Sequence, residues 1–230
     1  MIINNDNEGH VLTHLGLGDQ ITCNGLVREL YKRHAKLYVY CKVKYFYTIE
    51  FMYRDLPNLT VLPLEENGAQ HFTDLHKIKN FYKLSIGSDE TVEKSFYRQA
   101  NVDFNKKFES FFIQRDEHRE QALYSKFNFN SNNYAFIHDD VERGQRVDNS
   151  KITDKNLSIF RVNSSYTNNA FDYCKIIENA SEIHTIESSF MFLIDLLFKD
   201  KNKKLYQHRC AKPIAPFEYP TNQSAWHLYE

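Results

Sequence analysis

Hydrophobic and polar positions along the first part of the chain follow the patterns of strands and helices in turn. An apolar stretch at residues 10–15 leads into Gly16-Leu17-Gly18-Asp19. Apolar residues then recur every three or four positions as far as His34, which predicts an amphipathic helix. The residues on its apolar face are Cys23, Leu26, Val27, Leu30 and Tyr31.

The segments that follow continue this alternation. Residues 36–41 are rich in β-forming side chains and predict a strand. Residues 45–54 predict a helix that stops before Pro57, and residues 59–62 predict another strand. Strands and helices that alternate in this way are typical of a parallel α/β sheet.

A less regular middle region separates this pattern from a second one. Residues 96–124 predict a helix with charged residues throughout, and the polar Asn/Ser cluster at 128–133 predicts a boundary. The sequence therefore predicts two domains, residues 1–130 and residues 131–230.

The second domain repeats the alternation of strands and helices. The predicted strands are residues 134–137, 157–162, 182–186 and 204–208. A helix with one apolar face is predicted near residues 170–179. The helix predicted at residues 190–198 is apolar on nearly every face, so we expect it to be buried.

Composition narrows the class of protein. The chain has 230 residues, of which 42% are hydrophobic and 15% aromatic, and this apolar content argues against disorder. A net charge of -1 argues against a generally basic nucleic-acid binder. Because no apolar run reaches the ~18 residues of a membrane span and residues 1–7 do not resemble a signal peptide, we expect a soluble, cytoplasmic protein.

Cysteine usage agrees with that location. The chain has 4 cysteines, which lie far apart and form no CxxC pair. This pattern argues against a zinc knuckle and favours a reducing compartment.

Two glycines lie between the first predicted strand and the first predicted helix. Gly16 and Gly18 have no Cβ, so the backbone can turn sharply and approach a ligand closely. The helix start offers unpaired N–H groups and the positive dipole end, which suit an anionic or polar ligand. Asp19 is either a carboxylate at this ligand site or the cap of the helix, and the pattern leaves both open. Ile21 stands where a dinucleotide fingerprint needs a third glycine, and the Lys-Ser/Thr pair of a phosphate loop is missing, so NAD and ATP are not expected.

A second candidate is the loop after the strand at residues 134–137, which contains His138, Asp139, Asp140, Arg143 and Arg146. Loops at the carboxyl ends of parallel strands are where α/β proteins bind ligands. Histidine can transfer a proton near neutral pH, and arginine can bind a diphosphate through two hydrogen bonds. Adjacent carboxylates rarely face the same ion, so no metal site is predicted. A solvated turn with surface ion pairs is the alternative.

The third candidate is Glu187-Ser188-Ser189, between a strand and the apolar helix. Hydroxyl groups at a helix start can bind a phosphate together with the exposed backbone N–H groups. A simple helix cap is the alternative. A serine hydrolase is not expected, because no GxSxG elbow surrounds either serine. His184, two residues before Ile186 on the strand, is either buried and hydrogen-bonded or a ligand contact, and we favour burial.

Taken in chain order, these segments resemble the GT-B glycosyltransferases. Residues 14–19, followed by a helix that holds residues 24–28, look like the first loop of heptosyltransferase-type enzymes, which carry a small-residue-Gly-Asp turn there. Residues 183–190 resemble the strand and Ser-bearing helix start that hold the donor diphosphate. The loop at 138–143 is similar to the His/Arg donor loop of fucosyltransferase-type enzymes.

The resemblance implies two small Rossmann-like α/β domains facing across a cleft. Residues 1–130 would bind mainly the acceptor and residues 131–230 mainly the nucleotide-sugar. Asp19 would correspond to the general base, and arginine and serine side chains would bind the diphosphate in place of a metal. The residues that the resemblance places at the donor are Gly16, Gly18, His138, Arg143, Arg146, Glu187, Ser188 and Ser189. No metal or other cofactor is expected.

The expected function is the transfer of a sugar from a nucleotide-diphosphate donor to a hydroxyl acceptor, a glycan or another compound. Two alternatives stay open. One is a non-catalytic nucleotide- or carbohydrate-binding protein of the same fold. The other is a hydrolase or phosphatase that uses Asp19 or Asp139.

Overall fold

The structure is a computed structural model, and it describes residues 7–65, 79–87, 91–129, 133–141, 143–197, 203–209 and 226–229. The chain divides into two compact units, the first up to Gln114 and the second from Arg115. Each unit is built around its own parallel sheet. None of the described helices combines the length and the apolar character that a membrane span requires.

The first unit contains a sheet of four parallel strands. They are β1 (Glu8–Leu12), β2 (Lys36–Lys42), β3 (Leu59–Leu64) and β4 (Phe81–Lys83), and their order across the sheet is β3-β2-β1-β4. The helices are α1 (Leu17–Thr22), α2 (Asn24–Tyr31), α3 (Phe46–Tyr53), α4 (Val92–Gln99) and α5 (Lys106–Glu109). A 3-10 turn, Val43–Tyr45, precedes α3.

Burial of apolar side chains holds these helices against the sheet. The predicted apolar face of α2 is buried at Leu26, Val27 and Leu30, and the central strands contribute Val11 and Val39. A polar contact joins α4 to this core. The buried Tyr97 hydroxyl donates to the Thr22 carbonyl oxygen at 3.0 Å and accepts from the Leu26 N–H at 3.1 Å. Its aromatic ring can therefore be buried without leaving the hydroxyl unpaired.

The contact between α2 and α5 requires a glycine. A methyl group on Gly25 would stand 2.0 Å from the backbone oxygen of Lys106. Because the obstructing atom belongs to the backbone, no side-chain rotation could relieve the clash. Gly25 therefore sets how closely the two helices approach.

The second unit contains a sheet of five parallel strands. They are β5 (Tyr134–His138), β6 (Ser158–Arg161), β7 (Glu182–Ile186), β8 (Lys204–His208) and β9 (Trp226–Tyr229), in the order β6-β5-β7-β8-β9. Its helices are α6 (Glu117–Tyr124), α7 (Cys174–Asn179) and α8 (Ser189–Leu197), with 3-10 turns at Asn149–Lys151 and Ala170–Tyr173. The described part of α8 is apolar and mostly buried, as predicted, whereas residue 198 of the predicted helix lies outside the described residues.

The prediction of one long helix at residues 96–124 is wrong. Three short helices, α4, α5 and α6, occupy this region. Asn101 has a φ of 51°, a left-handed conformation that does not continue a helix, and it follows the end of α4. Asp116 then caps α6 by accepting a hydrogen bond from the Arg119 N–H at 3.0 Å.

Helix α6 belongs to the second unit. The Arg119 guanidinium donates to both Asp172 oxygens at 2.8 and 2.9 Å, and Arg115 pairs with Glu178 of α7. The division between the units consequently lies earlier in the chain than the predicted boundary at residue 130, part of whose polar cluster lies outside the described residues. The structure also adds β4 and β9, which the sequence pattern did not predict.

Candidate functional site

The strand order identifies where each sheet can bind a ligand. In open α/β sheets, ligands bind outside the carboxyl ends of two neighbouring strands whose connections leave in opposite directions. In the first sheet these strands are β1 and β4, and in the second they are β5 and β7. The predicted loops after β1, β5 and β7 all lie at these two positions.

The loop after β1 brings the Asp19 carboxylate back over the start of α1. Leu15 has a φ of 67°, an uncommon left-handed conformation for leucine. Gly16 is the N-cap residue, and Gly18 is the second residue of the helix. The carboxylate of Asp19, the third residue, accepts a hydrogen bond from the backbone of Gly16. This is the position of the acidic residue in a capping box, so Asp19 does cap the helix.

Capping leaves part of the Asp19 carboxylate accessible. Oδ2 lies 3.3 Å from His14 Nδ1, and the Asp19 side chain is 25% exposed. Burial raises the pKa of Asp19, while His14 and the Gly16 hydrogen bond partly offset that rise. A half-buried carboxylate with a raised pKa beside a histidine is able to accept a proton from a bound hydroxyl group.

Helix α1 is attached to the neighbouring strand below this loop. The buried Gln20 side chain donates from Nε2 to the Tyr40 carbonyl oxygen at 2.8 Å. The Tyr40 hydroxyl in turn lies 2.9 Å from Nδ1 of the buried His10. These contacts fix the start of α1, and with it Asp19, relative to the end of β2.

In the second sheet, His138 ends β5 and packs against α8. Its ring stacks on Phe190 with a centroid distance of 4.3 Å. Burial lowers the pKa of His138 to about 4, so the imidazole is neutral at pH 7. Nδ1 is buried and has no hydrogen-bond partner among the described residues. This nitrogen is available to a ligand group that reaches the end of β5.

The two acidic residues after His138 have separate partners. Asp139 accepts from the Val147 N–H at 2.7 Å and pairs with Arg161 of β6. Asp140 accepts from Arg143 Nε at 2.6 Å on an exposed turn. Hydrogen bonds from Arg143 outweigh the effect of burial and lower the pKa of Asp140.

Arg143 is thus part of a surface ion pair, and Arg146 is exposed on the same turn. The described residues contain no group of three or more histidine, cysteine or acidic side chains arranged to hold a metal ion.

The loop after β7 places a buried hydroxyl at the start of α8. Ser189 is the first residue of this nine-residue helix, and Glu187 and Ser189 are half-buried. The Ser188 carbonyl oxygen accepts from the Met191 N–H at 3.1 Å. Ser188 Oγ is buried and has no partner in the part of the chain that the structure describes. Since β5 and β7 are neighbours, the structure brings the His138 loop and the serine segment together at one edge of the sheet.

Two further polar residues, which the sequence analysis missed, extend this edge. Strand pairing aligns His138 with Thr185 and Thr185 with Gln207, so these three side chains stand side by side on one face. Thr185 Oγ1 and both polar atoms of the Gln207 amide are buried without partners among the described residues. A buried polar group without a partner costs about 1–3 kcal/mol, so each of these groups calls for a hydrogen-bond partner such as a ligand, an ion or a water molecule. In the sequence, the only sign of Thr185 and Gln207 is that each is a polar residue inside a buried strand.

Comparison with known proteins defines the class of fold. The chain has the two-sheet α/β fold of GT-B-like glycosyltransferases, as predicted. Two solved structures show this similarity. The E. coli ADP-heptose LPS heptosyltransferase II aligns over 96% of this chain and 90% of its own, with 11% identity and a TM-score of 0.53. A family 9 glycosyltransferase from Veillonella parvula aligns over 100% of this chain and 90% of its own, with 10% identity and a TM-score of 0.54.

Comparison at the level of sequence adds nothing to this. No protein-family model and no curated protein matches the chain. At 10–11% identity, the similarity to the two structures concerns the fold alone.

Proposed function

We propose that this protein is a glycosyltransferase that moves a sugar from a nucleoside-diphosphate donor to a hydroxyl acceptor, without a metal ion. The observation that carries the proposal is the buried Ser188 hydroxyl at the start of α8, which has no hydrogen-bond partner among the described residues and lies on the edge of the sheet where α/β proteins bind ligands. The fold shared with two glycosyltransferases supports the same class.

The donor diphosphate would bind at the start of α8. Ser188 and Ser189 supply hydroxyl groups there, next to the N–H groups of the first helical turn. Arg143 and Arg146 would place positive charge around the phosphates. Glu187 would accept a hydrogen bond from a hydroxyl group of the donor. His138, which is neutral, would exchange a hydrogen bond with the donor through Nδ1.

Asp19 would serve as the base on the acceptor side. An acceptor oxygen attacks the anomeric carbon, and the bond between that carbon and the phosphate oxygen breaks. The nucleoside diphosphate leaves with the bonding electrons, and the acceptor proton passes to Asp19. The raised pKa of Asp19 supports this role, because it makes the carboxylate a stronger base than an exposed aspartate. Gly18 would leave room for substrate groups near the backbone of this loop, whereas the space beside Gly16 is filled by the Asp19 carboxylate.

A non-catalytic binding protein of the same fold is the second candidate. The capping contact between the Asp19 carboxylate and Gly16 favours this candidate, because the contact gives the carboxylate a structural role. The two candidates differ in one measurable respect: both bind a nucleoside diphosphate, but only the transferase breaks the bond between sugar and phosphate.

The experiment is a chromatographic assay of nucleoside-diphosphate release from UDP-, GDP-, CDP- and ADP-linked sugars, ADP-heptose included, with a mixture of monosaccharides and glycosides as hydroxyl acceptors. We expect the wild-type protein to release the nucleoside diphosphate from one of these donors, and Asp19→Asn to do so at least ~10²-fold more slowly. Asp116→Asn is the matched control, because it changes a capping aspartate of α6 and should leave the rate unchanged. Binding without release would favour the binding protein, and equal rates for Asp19→Asn and wild type would leave Asp19 as a cap only.

A further inference from the structure

Three buried side chains on the second sheet form a hydrogen-bonded chain that the proposed reaction does not use. Glu182 and His184 lie on β7, and His208 ends β8. His184 Nε2 is 3.2 Å from Glu182 Oε2, and His184 Nδ1 is 3.0 Å from His208 Nε2. All three are buried. The chain therefore links two neighbouring strands through two imidazole rings in direct contact.

The contacts fix which nitrogen atoms carry protons. The Glu182 carboxylate accepts from the Thr153 N–H at 3.0 Å and from its hydroxyl. Although burial raises the pKa of Glu182, these hydrogen bonds and His184 lower it overall, so the group is ionised. A carboxylate only accepts, so His184 must carry its proton on Nε2. Nδ1 of neutral His184 is then an acceptor, and His208 must donate from Nε2 and leave its own Nδ1 without a proton.

We propose that Glu182, His184 and His208 form a pH-sensitive contact that holds β7 and β8 together near neutral pH and weakens on acidification. One added proton can enter at Nδ1 of His208 without breaking a hydrogen bond, but it places a cation in a buried position, which is costly. A second proton would have to enter at Nδ1 of His184, towards which His208 already donates. The bond between the rings would then break, and two cations would face each other inside the unit.

Several charged and aromatic groups surround the two rings. Lys204 Nζ lies 3.7 Å from Glu182 Oε1. The Tyr206 ring stacks on His184 at 4.5 Å, and the Tyr229 ring lies 5.1 Å from that of His208. Among the described residues, the charges of Asp139, Asp148, Lys151 and Lys155 also act on the pair.

The balance of these effects keeps both rings neutral. Burial lowers the pKa of His184, against the attraction of Glu182. Burial, followed by the neighbouring His184, lowers the pKa of His208 to about 4.

The sign of the pH effect follows from these shifts. Unfolded histidines titrate near 6.5, above the folded values, so the unfolded chain binds more protons in the range between about 6.5 and 4. The contribution of the Glu182, His184 and His208 contact to stability is complete above that range and is lost as the pH falls through it. For each extra proton that the unfolded state binds, the unfolding constant rises about tenfold when the pH falls by one unit.

The test follows urea unfolding between pH 7.5 and 4.5 through Trp226, the only tryptophan, which lies on β9 beside β8. In His208→Gln the amide can still donate to His184 but cannot titrate. As the pH falls by one unit, we expect the unfolding constant of the wild type to rise about tenfold more than that of His208→Gln. His227→Gln is the control, because His227 is exposed on the same sheet, and should keep the wild-type dependence. Equal dependence in wild type and His208→Gln would overturn the proposal.

A second measurement decides the question even if His208→Gln does not fold. Imidazole ¹⁵N spectra of the wild-type protein at pH 7.5 should show both rings neutral and protonated on Nε2. When the spectra are repeated at lower pH, neither ring should titrate near 6.5. A ring that titrates near 6.5, or a proton on Nδ1 of His184, would contradict the proposed chain.

Discussion

The Asp19 carboxylate lies so close to Gly16 that a methyl group on Gly16 would stand 2.7 Å from Oδ2. The backbone of Gly16, with φ of -72° and ψ of 146°, is one that any residue can adopt. Among the described residues, a methyl group at this position would therefore meet only the Asp19 carboxylate, which would have to move aside.

Gly16→Ala should consequently displace the Asp19 carboxylate. We expect the release of nucleoside diphosphate to slow by ~10-fold or more, while stability falls by only about 1 kcal/mol, the usual cost of alanine at an N-cap. The double variant Gly16→Ala/Asp19→Asn should be no slower than Asp19→Asn, because both changes act on the same group. Additive effects would show that Gly16 acts independently of Asp19.

His14→Gln should change the titration of Asp19. His14 lowers the pKa of Asp19, against the larger, raising effect of burial. Removing the histidine should therefore move this pKa upward, which can be measured from the carboxyl ¹³C shift as a function of pH. His118→Gln, a change on α6 of the second unit, should leave it in place. A pKa that stays constant or falls in His14→Gln would show that the contact at 3.3 Å does not persist in solution.

Ser188→Ala should separate stability from binding. Because the Ser188 hydroxyl is buried without a partner among the described residues, its removal should leave the free energy of unfolding unchanged or raise it, by up to about 1–3 kcal/mol. Ser158→Ala is the contrast, since Ser158 Oγ donates to the Asn133 carbonyl oxygen at 3.2 Å and its loss should cost about 0.5–1.5 kcal/mol. Urea unfolding gives both values. A clear loss of stability in Ser188→Ala would mean that the hydroxyl has a structural partner.

Gly25→Ala should destabilise the first unit. The added methyl group would meet the Lys106 backbone oxygen, so α2 and α5 would have to separate, at a cost of about 2 kcal/mol or more. Gly144→Ala provides the comparison. Gly144 has a φ of 69° with nothing within 4 Å of the added methyl group, so only backbone strain of about 1 kcal/mol is expected. A smaller loss for Gly25→Ala than for Gly144→Ala, measured by chemical denaturation, would contradict the close helix contact.

The sequence pattern was sufficient to predict most of the strands. Residues 36–41, 59–62 and 134–137 are short, rich in apolar and β-forming side chains and bounded by polar segments, and each forms a strand. β4 has only three residues, too few to show a period. The helix at 96–124 was misjudged because Phe104, Phe108, Phe111 and Phe112 keep helical spacing, whereas the breaks at Asn101 and Asp116 depend on local backbone conformation.

The candidate site was only partly predictable for a different reason. Loops after strands can be recognised along the chain, and so His138 and Ser188 were selected. Thr185 and Gln207 join them only through strand pairing, and the contact between His184 and His208 likewise spans two strands. Residues brought together by register leave no pattern in the sequence itself.

Calorimetric titration of the wild-type protein and Ser188→Ala with ADP, GDP, UDP and CDP in the presence of EDTA measures directly whether a diphosphate binds at the start of α8. We expect the wild type to bind one of these nucleotides without metal, and Ser188→Ala to bind it at least ~10-fold more weakly, as expected from a lost hydrogen bond to a charged group. Absence of binding by the wild type, or equal affinity in the two proteins, would contradict a diphosphate site at the start of α8.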